Sequence, residues 1–130
     1  MLKTALSYLD AGLCALSAIV AEKRPAVSSW REYQQRVPAE DEIRSWFANG
    51  EAMCIVTGAV SGNLELLDFD NQGEMLMPWW EAVEKKAPGL VERLVMEQSQ
   101  SGGFHVIYRC ETPVPGNQKL ASRDKQVLIE

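Results

Sequence analysis

A chain of 130 residues fits one domain and can bury a core, since a fold near this size removes roughly two-thirds of its unfolded surface from water. A hydrophobic share of 46% with 24% charged residues excludes a disordered or fibrous chain, and three widely spaced cysteines (Cys14, Cys54, Cys110) with no C-x-x-C pair argue against a zinc knuckle. The net charge of −5 argues against tight, unaided binding to nucleic acid, because phosphate contacts draw on Lys and Arg, yet it leaves room for a local basic groove or an acidic metal site.

In chain order, Leu2, Ala5, Leu6, Leu9 and Leu13 fall near helical spacing and predict an amphipathic first helix. Cys14 to Val20 is a short apolar run, read as a buried strand. Asp10 interrupts the N-terminal apolar stretch, and no run is long enough to span a bilayer, so a cytoplasmic location is expected. Three cysteines cannot all pair, which fits a reducing compartment. Glu22 to Pro25 reads as a turn, with Pro25 ending regular structure, and Trp30 to Arg36 as a short mixed segment.

Pro38 and the acids Glu40, Asp41 and Glu42 predict a helix start, with Ile43, Trp46 and Phe47 as its apolar stripe. Ala52 to Val56 and Leu64 to Asp70 are strand candidates around a small-residue loop, Thr57 to Asn63. Glu74 to Lys86 reads as a helix with Pro78 in or near its first turn. Leu90 to Ser99 is ambiguous, its later part favouring strand. Gly102 and Gly103 make a turn into a strand from Phe104 to Cys110, a proline-rich loop follows, and Gln126 to Glu130 is a last apolar strand. The expectation is an α/β (α+β) fold with a mixed sheet and flanking helices, in one domain over residues 1–130.

Four features can carry chemistry. On a strand, residues two apart share a face, so Asp68 and Asp70 project together and can hold one divalent cation or bridge two. Hard oxygen ligands suit Mg²⁺ or Mn²⁺. A strand end whose aspartates enter solvent is the plainer alternative. In Ser101, Gly102, Gly103 and His105, the glycines permit a turn that aims N–H groups at an anion, with Ser101 as a further donor and the chain's single histidine at the start of the next strand. A plain hairpin is the alternative there. The Thr57 to Asn63 loop can shape a nucleotide pocket or simply connect strands; it is neither a Walker A loop nor a dinucleotide fingerprint. Lys23 and Arg24 in one loop, and Lys119, Arg123 and Lys125 in another, can contact triphosphate or template, or be solvated surface charge. Trp30, Trp46, Trp79 and Trp80 can stack bases, with core packing the default for Trp46.

Taken in order, Lys23 to Pro25 with Trp30, Ile43 to Phe47, Thr57 and Gly58, Ser61 to Asn63, Asp68 to Asp70 and Ser101 to His105 resemble the N-terminal primase–polymerase domain of the archaeo-eukaryotic primase superfamily, as carried by phage and plasmid replication proteins. The resemblance runs along nearly the whole chain. It implies a primase–polymerase core with RRM-like elements. Asp68 and Asp70 then resemble the acidic pair that holds two catalytic Mg²⁺ or Mn²⁺ ions, and Val127 to Glu130 resembles the approach to the third acid, making Glu130 the candidate third ligand. Ser101, Gly102, Gly103 and His105 resemble the triphosphate-contacting motif, and Lys119 stands where the family often has a basic residue. The family's domain normally continues beyond this point, so the chain is expected to be incomplete at its C-terminus.

The function so implied is template-directed nucleotidyl transfer, DNA priming or polymerisation, from nucleoside triphosphates on a single-stranded DNA template. A downstream helicase or replisome proteins are the expected partners, with no membrane. The alternatives are a non-catalytic nucleotide- or nucleic-acid-binding module and a metal-dependent phosphohydrolase using the same acids.

Overall fold

Helix α1 (Leu2–Asp10) buries Ala5 and packs Leu2, Leu6 and Leu9 around a shared apolar cluster, as the spacing predicts; the structure, a computed structural model, describes residues 1–50 and 52–130. Leu13 falls outside the helix. Gly12 adopts φ +73°, and the Leu13 N–H reaches back to the Tyr8 carbonyl at 2.9 Å. This left-handed closure stops the helix at little conformational cost, because glycine has no Cβ to clash.

The chain forms two compact units, Met1–Leu64 with Cys110–Val114 and Glu65–Arg109 with Pro115–Glu130. In the first, strand β1 (Cys14–Ile19) is the middle of three. Cys14 to Ser17 are all buried, which is why the run reads as continuously apolar. β2 (Arg24–Pro25) and β3 (Met53–Val56) flank it antiparallel, with Ala18 opposite Pro25 and Leu16 opposite Cys54. Pro25 therefore lies in a strand instead of ending regular structure. Its missing N–H is tolerated at the sheet edge, and the following Ala26 N–H donates to the Ser17 carbonyl at 2.7 Å.

Helix α2 (Glu40–Phe47) lays Ile43 and Phe47 against α1. Acids in its first turn complement the helix dipole, and Glu42 accepts the Ala39 N–H at 2.8 Å, half of a capping box. The segment before it holds a one-turn 3₁₀ helix (Arg31–Gln34) and a polar brace. Arg36 bonds Glu42 at 2.7 Å and Glu32 at 2.9 Å and lies over the Tyr33 ring. The Tyr33 hydroxyl donates to Glu42 at 2.7 Å, and the ring meets Trp46 edge-on.

Arg36 holds the Glu42 carboxyl down at about 2, below its ordinary 4.5. A carboxyl depressed in the folded state stabilises above its unfolded pKa and loses that contribution as pH falls toward its folded value. Thermal melts should therefore show Arg36→Ala destabilised relative to the parent near neutral pH, with the gap closing between about pH 4.5 and pH 2. The Cys14 thiol, pushed up to about 11 chiefly by burial, donates to the Tyr33 carbonyl and is chemically inert packing.

The second unit is built on a five-stranded sheet in the order β5 (Val95–Gln98), β6 (Phe104–Arg109), β4 (Leu64–Phe69), β8 (Gln126–Ile129), β7 (Ala121–Arg123). β5 with β6, β4 with β8, and β7 with β8 are antiparallel. Helix α3 (Leu76–Lys86) starts two residues later than expected, because Asn71, Gln72 and Gly73 take positive φ, and it accommodates Pro78 in its first turn. Leu76 and Trp79 pack with Leu67, Phe69, Val106 and Ile129; Trp79 stands edge-on to the fully buried Phe69, ring centroids 5.3 Å apart. Burying a Phe contributes about 2 kcal/mol, so this face anchors β4. The expected combination of helices and strands is what the structure shows, with the strands divided between two sheets. β7 was not foreseen: Arg123, read as part of a basic loop, lies on a strand. Among the described residues no helix is long and apolar enough to cross a membrane.

Candidate functional site

Strand alternation decides the first half of the site. Leu67 and Phe69 point into the core of the second unit, so Asp68 and Asp70 take the opposite face of the sheet. Pairing decides the rest. The Asp68 N–H donates to the Glu130 carbonyl at 2.7 Å, and the Glu130 N–H returns to the Asp68 carbonyl at 3.1 Å. The two residues are thus directly opposite in the antiparallel ladder and share a face. Carboxylate oxygens of Asp68, Asp70 and Glu130 lie within 4.8 Å of one another, each residue half-buried. Two full charges at that separation repel by on the order of 3 kcal/mol at an effective dielectric near 20. A divalent cation reverses that sign. The donor set, three hard carboxylates with no thiolate, fits Mg²⁺ or Mn²⁺ and suits softer metals less well.

His105 joins the cluster from β6. Phe104 and Val106 face the core, which turns His105 to the acidic face. Its Nε2 is 3.6 Å from Asp68, and its Nδ1 is 2.8 Å from Oε1 of Glu97 on β5. Glu97 is the residue that sequence reasoning missed. The hairpin register sets Glu97 opposite His105, but that register is readable only once both strand ends are known.

The loop between β5 and β6 is a closed turn. The Ser99 N–H donates to the Gly103 carbonyl at 2.9 Å, the Gly102 N–H to the Ser99 carbonyl at 3.0 Å, and the Ser101 hydroxyl sits 3.1 Å from that of Ser99. Gly102 has φ +88° and open space around it. Gly103 is needed for a different reason: a Cβ there would collide with the carbonyl of Phe69, the residue between the two aspartates.

After Asp70 the chain makes a left-handed turn, Asn71 φ 52°, Gln72 φ 58° and Gly73 φ 73°. Non-glycine residues hold such angles only where the surroundings fix them. Here the Gly73 N–H donates to the Asp70 carbonyl at 3.0 Å, and Gly73 packs flat against Phe104. Asn71, then Arg123, hold the Glu74 carboxyl below its usual range, and the Arg123 guanidinium bonds Glu74 at 2.7 Å. Arg123 is therefore committed to this tie. Melting Arg123→Ala should show only a small loss of stability, as for other exposed pairs.

Of the remaining predicted contacts, Lys119 is exposed in the loop before β7, and Lys125 lies in the turn between β7 and β8. Lys23 and Arg24 belong to the first unit, with Arg24 paired to Glu22. In the Thr57 to Asn63 loop the buried Ser61 hydroxyl accepts the Cys14 N–H at 2.9 Å and donates to the Val56 carbonyl. Asn117, also not anticipated, places its amide 3.4 Å from the Glu130 carboxylate.

No individual curated protein matches the chain. The ordered motifs and the carboxylate geometry agree with a family match that covers residues 5–129, nearly the whole length, and on that match the chain belongs to the family of bifunctional DNA primase/polymerase N-terminal domains, Prim-Pol.

Proposed function

We propose that this domain catalyses template-directed nucleotidyl transfer, extending DNA from nucleoside triphosphates on a single-stranded template. The observation that supports it most is the convergence of Asp68, Asp70 and Glu130 from two hydrogen-bonded strands. These three residues would hold two Mg²⁺ or Mn²⁺ ions. Bound there, the ions would supply activation of the attacking 3′-hydroxyl and charge neutralisation at the leaving pyrophosphate.

The chain's own residues do the positioning. The Ser101 hydroxyl and the Gly103 N–H offer donors to an anionic triphosphate, with Gly102 shaping the turn through its own bond to the Ser99 carbonyl, and His105 offers Nε2 beside Asp68. Lys119 adds a cation for the same phosphates, and Lys23, Arg24 and Lys125 are assigned to template or phosphate contact. Positioning and charge stabilisation carry such a reaction, with no protein nucleophile. The replication system is of phage or plasmid type, in the cytoplasm of a bacterial host, with a helicase or other replisome proteins as partners.

The test is extension of a labelled primer on a single-stranded template with deoxynucleoside triphosphates and Mn²⁺. Metal-dependent lengthening, absent in Asp70→Ala, is the expected result. Release of phosphate or nucleoside monophosphate without lengthening would replace polymerisation with hydrolysis, and triphosphate binding without any product would reduce the domain to a binding module.

A further inference from the structure

His105 carries two ring nitrogens with different partners. Nε2 is turned toward Asp68 at the acidic cluster, while Nδ1 is 2.8 Å from Oε1 of Glu97 across the hairpin. A histidine ring with neither nitrogen hydrogen-bonded can rotate about its last torsion and exchange its nitrogens. A carboxylate on Nδ1 opposes both: it holds the ring plane and leaves Nε2 facing the acidic cluster. The backbone supplies the same instruction, because Glu97 and His105 are directly opposed in the β5–β6 ladder, with Met96 opposite Val106 and Gln98 opposite Phe104 on either side. Glu97 is 57% exposed in its side chain, so burial does not explain its presence; nor does it contribute to the Asp68, Asp70 and Glu130 cluster.

We propose that Glu97 is a positioning residue: it anchors Nδ1 of His105 so that Nε2 is presented to the triphosphate beside Asp68. The role of Nε2 rests on the nucleotidyl-transfer reading; the anchoring of Nδ1 does not.

One histidine in the chain makes the test unambiguous, since every imidazole nitrogen signal belongs to His105. Nitrogen-15 spectra of the full chain should show a protonated, hydrogen-bonded Nδ1. That signature should disappear in Glu97→Ala and persist in Glu97→Gln, whose amide can still bond the ring. Calorimetry with a deoxynucleoside triphosphate and Mn²⁺ should find affinity reduced about 10-fold in Glu97→Ala, the lower range for loss of an orienting partner, and nearly restored in Glu97→Gln. The Glu97→Ala, His105→Ala double variant should bind no worse than His105→Ala alone, because the two residues act through one group. An Nδ1 signature unchanged in Glu97→Ala overturns the proposal, as does additive loss in the double variant. If the parent protein shows no triphosphate response, the nucleotide reading falls and the presenting role with it, while the ring signals still report independently on the anchor.

Discussion

Asp70→Ala is expected to weaken metal-dependent triphosphate binding by more than about 100-fold, beyond the range seen when only an orienting partner of a ligand is lost. Asp70 shares its sheet face with Asp68, the strand partner of Glu130, and among the described residues no further carboxylate joins the cluster to replace it. The same substitution should have the opposite sign on stability without metal. Three carboxylates within 4.8 Å repel, and removing one relieves that repulsion. After solvent screening the gain is about 1 kcal/mol or less. Melting curves with and without Mn²⁺ read both effects together. The parent should be raised by metal, by about 2.7 kcal/mol at a free concentration about 100-fold above Kd. Asp70→Ala should start slightly higher and respond little. A variant that melts lower than the parent without metal would mean that Asp70 is a structural residue, and a variant that keeps the full metal response would remove it from the site.

Gly103→Ala is expected to be the most damaging single-methyl change in the second unit. An added Cβ meets the carbonyl oxygen of Phe69, a backbone atom on the strand that carries both aspartates. Backbone cannot rotate out of the way as a flexible side chain does, so β4 and the β5–β6 turn must separate. Overpacking of this kind costs about 1–3 kcal/mol, and the separation displaces Asp68 and Asp70 from Glu130. Loss of stability should therefore be accompanied by loss of the metal response. Gly102→Ala is the control. Its neighbour-free position meets nothing within 4 Å, but its φ of +88° disfavours any Cβ. It should cost about 1 kcal/mol through backbone strain, with the metal response retained. Equal effects from the two glycines would show that the turn's conformation matters and the close approach to Phe69 does not.

Much of this protein was legible residue by residue. The stripe of Ile43 and Phe47 marked α2, and the alternation of Leu67 and Phe69 with Asp68 and Asp70 set one face to the core and the other to the site. Gly12 was the part of α1 that periodicity could not weigh, since Leu13 keeps helical spacing in a helix that has already closed. Pro25 misled in the other direction, because its restriction on hydrogen bonding does not matter at an edge. Short strands with little apolar content, such as β7, gave no periodic signal at all.

The sequence by itself thus determined what depends on near neighbours: helix faces, strand alternation, the turn at Gly102, and the pairing of Asp68 with Asp70. Only the tertiary structure decided what depends on register. It set Glu130 opposite Asp68, placed Glu97 on Nδ1 of His105, committed Arg123 to Glu74, and pressed Gly103 against the Phe69 carbonyl. The physical reason is that alternation has a period of two within one strand, whereas the alignment of two strands is fixed by hydrogen bonds and packing between residues far apart in the chain. A slip of one position would turn Glu130 to the opposite face, and nothing local in the sequence forbids it.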